Sequence, residues 1–245
     1  SRWARMAFQL FTTCVGGSPR RHHRLVSGAR LVRGDMSQLK CQISVSLDGY
    51  VAGPNPSLEE PLGRNGERIH DWVVRTRAWR EQHGYEGGED GADSEIVDDM
   101  VRGIGAYIMG RNMFGGGPGP WDEEWRGWWG DEPPFHVPVF VLTHHPREPL
   151  EMQGGTTFHF VTDGIEAALE RAREAAGDAD VMLAGGAEAV QQYLRAGLVD
   201  ELFLHIAPVV LGGGRRLLDG VGYVPLEQVE VVSSPRVTHV RYRVG

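Results

Sequence analysis

The chain has 245 residues, of which 41% are hydrophobic and 24% charged, and its formal net charge is −8. This composition is typical of one globular domain with a sizeable core, and two cysteines, Cys14 and Cys41, are too few for a disulfide framework or a Cys/His zinc site. The first 35 residues hold seven arginines and one acid, a net +6, which leaves −14 on the remainder, a charge that disfavours nucleic-acid binding.

The first 35 residues differ in composition from the rest. They are rich in arginine, but Gln9, Thr12 and Thr13 interrupt their apolar part, so they fit a targeting peptide poorly. We expect a disordered or spurious extension over residues 1–35, upstream of a natural start at Met36, and one domain over residues 36–245. No apolar run approaches the roughly 20 residues of a membrane span, so we expect a cytoplasmic protein without a membrane partner.

The first part of the domain alternates β-rich runs with amphipathic segments, which is typical of an α/β sheet with crossover helices. The run "LKCQISVSL" is the first predicted strand. Apolar residues at helical spacing in "ERIHDWVVRTRAWREQ" predict one helix with an aromatic face. The run "SEIVDDMVRGI" predicts a second helix, capped by Asp93 or Ser94, and "AYIMG" predicts a buried strand.

A long loop follows that strand. The segment "GGGPGPWDEEWRGWWGDEPPFH" contains Trp121, Trp125, Trp128 and Trp129. Loops of this length are usually functional or disordered, and tryptophans bury large apolar areas, which argues against disorder. We expect this tryptophan loop to form a lid over the substrate pocket, with a surface that binds a protein partner as the alternative.

The second part of the domain continues the alternation. Strands are predicted at "VPVFVLT", "TFHFV", "ADVMLAGG" and "DELFLHIAPVVLG". Helices are predicted at "GIEAALERAREAAG" and "AEAVQQYLRAG", the second ending at Gly197. The last two runs, "QVEVVSS" and "RVTHVRYRV", predict an antiparallel pair joined by Ser-Ser-Pro.

Three predicted strands end in small or glycine residues, at "SLDGYVAG", "IMGRNMF" and "LAGGAEAV". In an open α/β sheet a ligand binds outside the carboxyl ends of the strands, where helix N-termini direct amide donors outward. Gly185 and Gly186 would let a pyrophosphate approach the backbone, and Arg111 would offer a guanidinium fork to a phosphate. The alternatives are a close-packed turn and an arginine that faces solvent.

Five motifs occur in one order: a strand with D-G-x-x-A-G, a strand with G-R-x-M-F, "VFVLT", a strand with G-G, and "LFLHIAPVVLGGG". Over nearly all of residues 38–220 this order resembles the dihydrofolate reductases and, more closely, stand-alone members of the riboflavin-biosynthesis reductase-domain family. The resemblance implies a three-layer α/β sandwich with a central, mostly parallel twisted sheet and a C-terminal antiparallel strand pair. It also implies a homodimeric, NADPH-dependent reductase of a small pteridine- or pyrimidine-type heterocycle.

The resemblance also assigns residues to the cofactor. Small residues after the first strand would leave room for a flat nicotinamide ring, the Gly-Arg turn would bind adenosine-side phosphates, "VFVLT" would end beside the ribose, and the double glycine would meet the pyrophosphate. In that order the residues are Gly49, Val51, Ala52, Gly53; Gly110, Arg111, Asn112, Met113; Leu142, Thr143, His144; and Gly185, Gly186, Ala187, Glu188. A preference for NADPH would come from cations around a 2′-phosphate, namely Arg111, His144, His145 and Arg147.

Hydride transfer requires the protein to orient the reactants and supply a proton, and two acids are candidates. Asp71 is the nearest equivalent of the carboxylate on the first helix of dihydrofolate reductases, but it is equally an ordinary solvated acid. Asp48 is the other candidate, with capping of its turn as the alternative. Trp72 and Trp121 are candidates for the substrate pocket, and a non-catalytic NADP(H)-binding protein is the alternative function.

Overall fold

The computed structural model describes residues 37–57 and 59–245, so the predictions for residues 1–35 lie outside the described residues. The strands are β1 (Leu39–Ser46), β2 (Tyr50–Ala52), β3 (Ile104–Gly110), β4 (Pro138–Leu142), β5 (Leu150–Glu151), β6 (Thr157–Val161), β7 (Asp180–Gly185), β8 (Glu201–Ala207), β9 (Arg215–Arg216), β10 (Leu226–Ser233) and β11 (Thr238–Val244). The helices are α1 (Arg77–Gln82), α2 (Ala92–Asp99), α3 (Arg111–Phe114), α4 (Ile165–Ala176) and α5 (Ala187–Arg195), with 3₁₀ turns at Gly66–His70, Val73–Arg75 and Gln153–Gly155.

One nine-stranded sheet has the order β10-β11-β8-β1-β7-β3-β4-β6-β5. The six strands from β8 to β6 in this order are parallel to one another. The β10–β11 pair is antiparallel and β11 joins β8 antiparallel, while β5 lies antiparallel on β6. The predicted mostly parallel sheet with a C-terminal antiparallel pair is therefore confirmed. A separate two-stranded sheet joins β2 to β9.

Helices α4 and α5 cover one face of this sheet. Alternate residues of β1 point to that face and are apolar, from Leu39 to Val45. The Tyr193 hydroxyl of α5 donates to the Ile165 carbonyl at 2.7 Å, which links the two helices. Burial raises the pKa of the Cys41 thiol to about 12, so this cysteine is an unreactive core residue.

The opposite face of the sheet carries the chain that follows β2. The prediction of one continuous helix here was wrong, because two 3₁₀ turns precede α1. Thr76 is extended, with φ −67° and ψ 147°, and its hydroxyl accepts a hydrogen bond from the Trp79 amide at 3.2 Å. It caps α1 and so interrupts the helical run. The apolar spacing nevertheless identified the buried residues, including Ile69, Trp72 and Trp79.

The start of α2 also differs from the prediction. No side chain caps this helix, and the residue before it, Gly91, has a φ of 123°. Ser94 instead accepts a hydrogen bond from the Ala78 amide at 3.0 Å, and Asp93 accepts one from Ser234 at 2.9 Å. The predicted caps were wrong because these side chains hold α2 against neighbouring elements.

One predicted strand is shorter in the structure. β8 ends at Ala207, whereas the sequence predicted a strand that continued through "PVVLG". The next residue, Pro208, has no amide hydrogen and cannot donate to the strand ladder. The chain leaves the sheet there and enters the loop that leads to β9.

Candidate functional site

Loops from four strands meet at the carboxyl edge of the parallel sheet. Strand pairing places Met109 opposite Gly185 and Gly110 opposite Leu142. A methyl group on Gly110 would lie 3.5 Å from the Cβ of Ala189 in α5. The Gly-Arg turn, the end of β4 and the double glycine therefore form one continuous surface, called here the edge strip: residues 110–113, 142–144 and 185–188.

The double glycine leads directly into α5. Gly185 has a φ of 124°, which favours glycine, and the peptide bond between Gly185 and Gly186 is cis. No described atom lies within 4 Å of the position that a Cβ of Gly186 would take. No side chain caps α5, which begins at Ala187. Its first backbone amides are therefore available to an anion, with the positive end of the helix dipole behind them.

Packing within the chain constrains two residues of the loop after β1. A side chain on Gly53 would meet the carbonyl oxygen of Arg64 at 2.1 Å, which only glycine avoids. Val51 is buried in the core beneath α4 and α5. The packing of the chain itself thus explains both residues. Of the four residues assigned to the nicotinamide, Gly49 and Ala52 are the two that are partly exposed.

Asp48 holds the turn after β1. Its carboxylate accepts hydrogen bonds from the Ser46 hydroxyl at 2.7 Å and from the amides of Leu211 at 3.0 Å and Gly212 at 2.7 Å. Desolvation raises the pKa of Asp48, but these hydrogen bonds outweigh it and lower the pKa to about 2. The carboxylate is ionised at neutral pH and binds the loop after β8, which favours the capping alternative over proton donation.

Asp71 faces solvent at the end of the first 3₁₀ turn. Its carboxylate lies 3.5 Å from Nη1 of Arg68, and its side chain is 45% exposed. An exposed pair of this kind contributes little and is screened by salt. The geometry favours the solvated alternative for Asp71.

Trp72 and Trp121 lie in different parts of the molecule. Trp72 packs against His205 of β8, with 4.9 Å between ring centroids. Trp121 packs against Phe160 of β6, with 4.8 Å between centroids. Four strands lie between β8 and β6 in the sheet, at a spacing of about 4.8 Å each. The expectation that these two tryptophans line one substrate pocket is therefore corrected.

The guanidinium of Arg111 stacks on Trp121, 3.3 Å from the ring centroid. One terminal nitrogen lies 3.4 Å from the Thr143 hydroxyl, and the other donates to the Gly117 carbonyl at 3.0 Å. The Nε of Arg111 is buried and has no hydrogen-bond partner among the described residues. Burial and the nearby Arg147 lower the pKa of Arg111. An anion bound here would accept a hydrogen bond from Nε and would stabilise the charged form of Arg111.

Arg147 is engaged differently from the expected phosphate ligand. Its side chain is 2% exposed, and it donates to the carbonyls of Trp125 at 2.7 Å and Glu123 at 2.9 Å. The indole of Trp121 donates to the His145 carbonyl at 2.8 Å. These bonds hold the tryptophan loop against the edge strip. The Nε atoms of Arg111 and Arg147 are both buried without a hydrogen-bond partner among the described residues, so unused donor capacity alone does not distinguish the two arginines.

Sequence reasoning missed the two arginines of β9. Arg215 reaches Glu188 in the first turn of α5, with 3.4 Å between Nη1 and Oε1. Arg216 lies over the ring of Tyr50 in β2, 4.6 Å from its centroid. The pairing of β9 with β2 thus places two cations beside the edge strip. The detectable signal is the "RR" directly after the "LFLHIAPVVLGGG" motif.

Two features are absent from residues 37–57 and 59–245. No helix in this part of the chain is both long and apolar enough to cross a membrane. No group of three or more His, Cys, Asp or Glu side chains in it is placed to hold a metal ion.

The sequence matches the RibD C-terminal domain family over residues 37–240. The chain belongs to this family. No curated protein sequence matches it significantly.

Solved structures share its fold. A protein assigned to riboflavin biosynthesis from Shewanella sp. PV-4 has a TM-score of 0.55 at 20% identity and covers 86% of this chain and 99% of its own. A diaminohydroxyphosphoribosylaminopyrimidine deaminase/5-amino-6-(5-phosphoribosylamino)uracil reductase from Thermotoga maritima has a TM-score of 0.51 at 15% identity, with 86% of this chain and 57% of its own covered. The RibD of Acinetobacter baumannii has a TM-score of 0.51 at 14% identity. The match covers 86% of this chain and 59% of that protein. At these identities the likeness shows the fold, and it confirms the predicted fold class.

Proposed function

We propose that this protein is an NADPH-dependent reductase that transfers a hydride to a small pyrimidine- or pteridine-type heterocycle. The observation that carries the proposal is the edge strip, where Gly185 and Gly186 lead into the uncapped α5 beside Gly110 and Arg111. Family membership supports the reaction class. The Thermotoga maritima relative is a 5-amino-6-(5-phosphoribosylamino)uracil reductase, and we propose a phosphoribosylated aminopyrimidine as the first substrate to test.

The residues of the edge strip fit a dinucleotide. The amides at the start of α5 suit a pyrophosphate, and the unpartnered Nε of Arg111 suits a phosphate oxygen. We assign Gly110 to Met113 to the adenosine-side phosphates, Leu142 to His144 to the ribose, and Gly185 to Glu188 to the pyrophosphate. On the other side of Gly186, Gly49 and Ala52 are the partly exposed residues proposed to contact the nicotinamide.

Bound NADPH would supply the hydride, and the protein would supply binding, orientation and a proton. Arg215 would add positive charge beside the pyrophosphate, provided that it exchanges Glu188 for a phosphate oxygen. Ionised Asp48 holds the turn that presents Gly49 and keeps the loop after β8 in place. Its role is to position the backbone on which the nicotinamide would rest.

The preference for NADPH over NADH rests on the 2′-phosphate. Arg111 is a partly buried guanidinium with a free donor, and His144 is exposed beside Thr143. A phosphate dianion between them would form charge-assisted hydrogen bonds that the hydroxyl of NADH cannot match. We therefore expect NADPH to bind at least tenfold more tightly than NADH.

The test is a titration of the full chain with NADPH and with NADH, followed by tryptophan fluorescence and calorimetry. NADPH oxidation is then measured with the phosphoribosylated aminopyrimidine and with dihydropteridines as acceptors. Saturable NADPH binding and oxidation by one acceptor support the proposal. Failure to bind either nucleotide contradicts it.

A non-catalytic NADP(H)-binding protein is the second candidate function. The observation in its favour is that neither acid nominated from the sequence is a suitable proton donor, because Asp48 is hydrogen-bonded and ionised and Asp71 faces solvent. Binding of NADPH without oxidation by any acceptor would favour this candidate.

We also propose that the protein is a homodimer. β10 lies at one end of the nine-stranded sheet, so one side of its backbone is unpaired in the sheet. It exposes Leu226, Val229 and Val231, each more than 40% accessible. Pairing of two such edges would cover these apolar side chains. Light scattering coupled to size-exclusion chromatography should give twice the chain mass, and Val231→Lys should shift the protein to monomer.

A further inference from the structure

The indole of Trp121 lies where the tryptophan loop meets the edge strip. The guanidinium of Arg111 stacks on this indole, 3.3 Å from the ring centroid, and the guanidinium of Arg147 lies 5.3 Å from it. The indole nitrogen donates a hydrogen bond to the His145 carbonyl at 2.8 Å. One tryptophan thus contacts two cations and is itself anchored to the chain after β4.

Two further aromatic rings fix the plane of Trp121. Phe114 of α3 packs edge-on against it, with 5.7 Å between ring centroids, and Phe160 of β6 does so at 4.8 Å. Phe114 is fully buried, and Phe160 packs against the same core cluster. Edge-on contacts of this kind favour one orientation of each ring. Trp121 therefore offers a rigid surface, although it belongs to a long loop.

This surface orients Arg111 without using all of its donors. One terminal nitrogen forms a long hydrogen bond of 3.4 Å with the Thr143 hydroxyl, and the other donates to the Gly117 carbonyl at 3.0 Å. A guanidinium carries more N–H donors than these two bonds use, and Nε has no partner among the described residues. An arginine that binds a ligand normally loses conformational freedom at that moment. Here the stacking restricts the side chain beforehand.

The positive charges at this junction are not fully balanced within it. Burial, followed by the neighbouring Arg147, lowers the pKa of Arg111, and among the described residues no carboxylate pairs with Arg111. Burial also lowers the pKa of Arg147. Two acids near Arg147 oppose this effect and Arg126 adds to it; the acids are Asp122 and Glu123, whose side chain is 82% exposed. A doubly charged anion beside Arg111 would be attracted by both guanidiniums, whereas a neutral hydroxyl would not.

We propose that Trp121, supported by Arg147, makes the protein select NADPH over NADH by holding Arg111 in the position that binds the 2′-phosphate. This inference rests on the proposed function and extends its cofactor site from Arg111 to the tryptophan loop. Trp121 is a positioning residue, because it acts through Arg111 and touches no reacting atom. The tryptophan loop then serves as the support of the phosphate-binding arginine.

The two cofactors provide the discriminating comparison. NADPH and NADH share every group except the 2′-phosphate, so a contribution of Trp121 that passes through Arg111 appears in NADPH binding alone. A tryptophan that only packed the loop, or that contacted the adenine, would affect both cofactors equally. The ratio of the two dissociation constants therefore separates a positioning role from a structural one.

The experiment is a calorimetric titration of the full chain with NADPH and with NADH, for wild type and three variants. Trp121→Leu should weaken NADPH binding by about 5- to 20-fold, since it removes the cation–π contact and leaves the arginine to be immobilised on binding. Its NADH affinity should stay within about twofold of wild type. Trp121→Phe keeps an aromatic surface and should lie between wild type and Trp121→Leu. Trp125→Phe is the control, because it removes an indole hydrogen bond of the same loop away from Arg111.

A double variant tests whether Trp121 acts through Arg111. Adding Trp121→Leu to Arg111→Ala should lower NADPH affinity no further than Arg111→Ala alone, whereas additive losses overturn the inference. Equal losses of NADPH and NADH affinity in Trp121→Leu overturn it too. If Trp121→Leu does not fold, Trp121→Phe replaces it in both comparisons.

The wild type separates this inference from the proposed function. Failure to bind either nucleotide overturns both. Equal affinity for NADPH and NADH overturns the inference and leaves a reductase of lower cofactor selectivity. The expected selectivity without oxidation by any acceptor supports the inference and favours the non-catalytic candidate.

Discussion

Arg111 combines two features that are rarely found together on a surface arginine. Its guanidinium is fixed over Trp121, and its buried Nε has no hydrogen-bond partner among the described residues. Stacking fixes the orientation of the fork before any ligand arrives, so less side-chain entropy is lost on binding. The sequence placed an arginine after a strand and a glycine, but the stacking partner comes from a loop ten residues further along.

We predict that Arg111→Ala weakens NADPH binding by roughly 10- to 100-fold, the equivalent of one or two charge-assisted hydrogen bonds. The NADPH affinity of Arg111→Lys should lie between the affinities of Arg111→Ala and wild type, because lysine keeps the positive charge but cannot donate two parallel hydrogen bonds as a guanidinium does. Calorimetric titration measures the effect, and Arg102→Ala is the matched control, since Arg102 is exposed and pairs with Asp99. Equal NADPH affinity in Arg111→Ala and wild type would remove Arg111 from the proposed site.

Asp48→Asn tests the structural role of the turn after β1. An amide nitrogen in place of one oxygen would face the backbone donors of Leu211 or Gly212, so we expect a loss of about 1–2 kcal/mol of stability. The folded pKa of Asp48 is lowered to about 2, so its contribution is complete above the ordinary value of 3.8 and is lost as the pH falls through about 2.

Urea unfolding at pH 7 and pH 3 checks this prediction for Asp48→Asn. The difference between the variant and wild type should be larger at pH 7. Asp178→Asn makes the same substitution at an exposed position and should leave stability unchanged. A fully stable Asp48→Asn with lost turnover would instead revive the proton-donor hypothesis for Asp48.

At the scale of elements, the tryptophan loop is a packed wall. The Trp125 indole donates to the Phe114 carbonyl at 3.1 Å, and side chains on Gly115 and Gly116 would collide with Trp128 and Trp125. The buried Arg147 then ties the loop to the chain after β4. These contacts favour a fixed wall, and the lid stays a prediction.

Arg147→Ala should release this loop. The substitution leaves the carbonyls of Trp125 and Glu123 without their charged donor, so we expect a loss of about 1–3 kcal/mol of stability and rapid proteolysis within residues 115–137. Wild-type protein should resist cleavage equally with and without NADPH. Glu124→Ala is the control, because Glu124 is exposed on the same loop. Cleavage of wild type that NADPH suppresses would instead support the lid.

The helix predictions show where local pattern and tertiary packing diverge. The spacing of Ile69, Trp72 and Trp79 is helical, and all three are buried as expected. Two 3₁₀ turns followed by a short helix bury the same three side chains, because the extended backbone at Thr76 changes the direction of the chain before α1. Hydrophobic period reports which side chains face the core, but it does not report whether the backbone between them is continuous.

At the scale of the molecule, buried histidines make one face of the sheet sensitive to acid. Desolvation lowers the pKa of His70 from 6.5 to about 4, so the unfolded chain binds a proton first as the pH falls. The stability that the neutral, buried His70 contributes is fully present above pH 6.5, declines between pH 6.5 and about 4, and is lost below about pH 4. His205 and His239 add to this decline, since both have lowered pKa values.

We therefore predict that the wild type loses several kcal/mol of stability between pH 7 and pH 4.5, of which His70 accounts for up to about 3 kcal/mol. His70→Gln should reduce the slope of stability against pH, measured by urea unfolding at half-unit intervals. His144→Gln, at an exposed position, should keep the wild-type slope. An unchanged slope in His70→Gln would show that His70 is not the titrating group.

The sequence alone determined the order of the strands along the chain, the parallel sheet with its C-terminal antiparallel pair, and the glycine and arginine motifs at the strand ends. These features follow from periodicity and turn residues, which act over a few neighbouring positions. For the same reason, the motif order was enough to indicate the family.

Tertiary structure alone decided which side chains are free to act. The carboxylate of Asp48 accepts hydrogen bonds from a loop more than 160 residues away, and the guanidinium of Arg147 donates to carbonyls of the tryptophan loop. The carbonyl of Arg64 leaves no room for a side chain at Gly53. Hydrogen bonds and burial between distant segments leave no periodic trace, so a residue type suited to catalysis cannot be told from one used in packing until the fold is known.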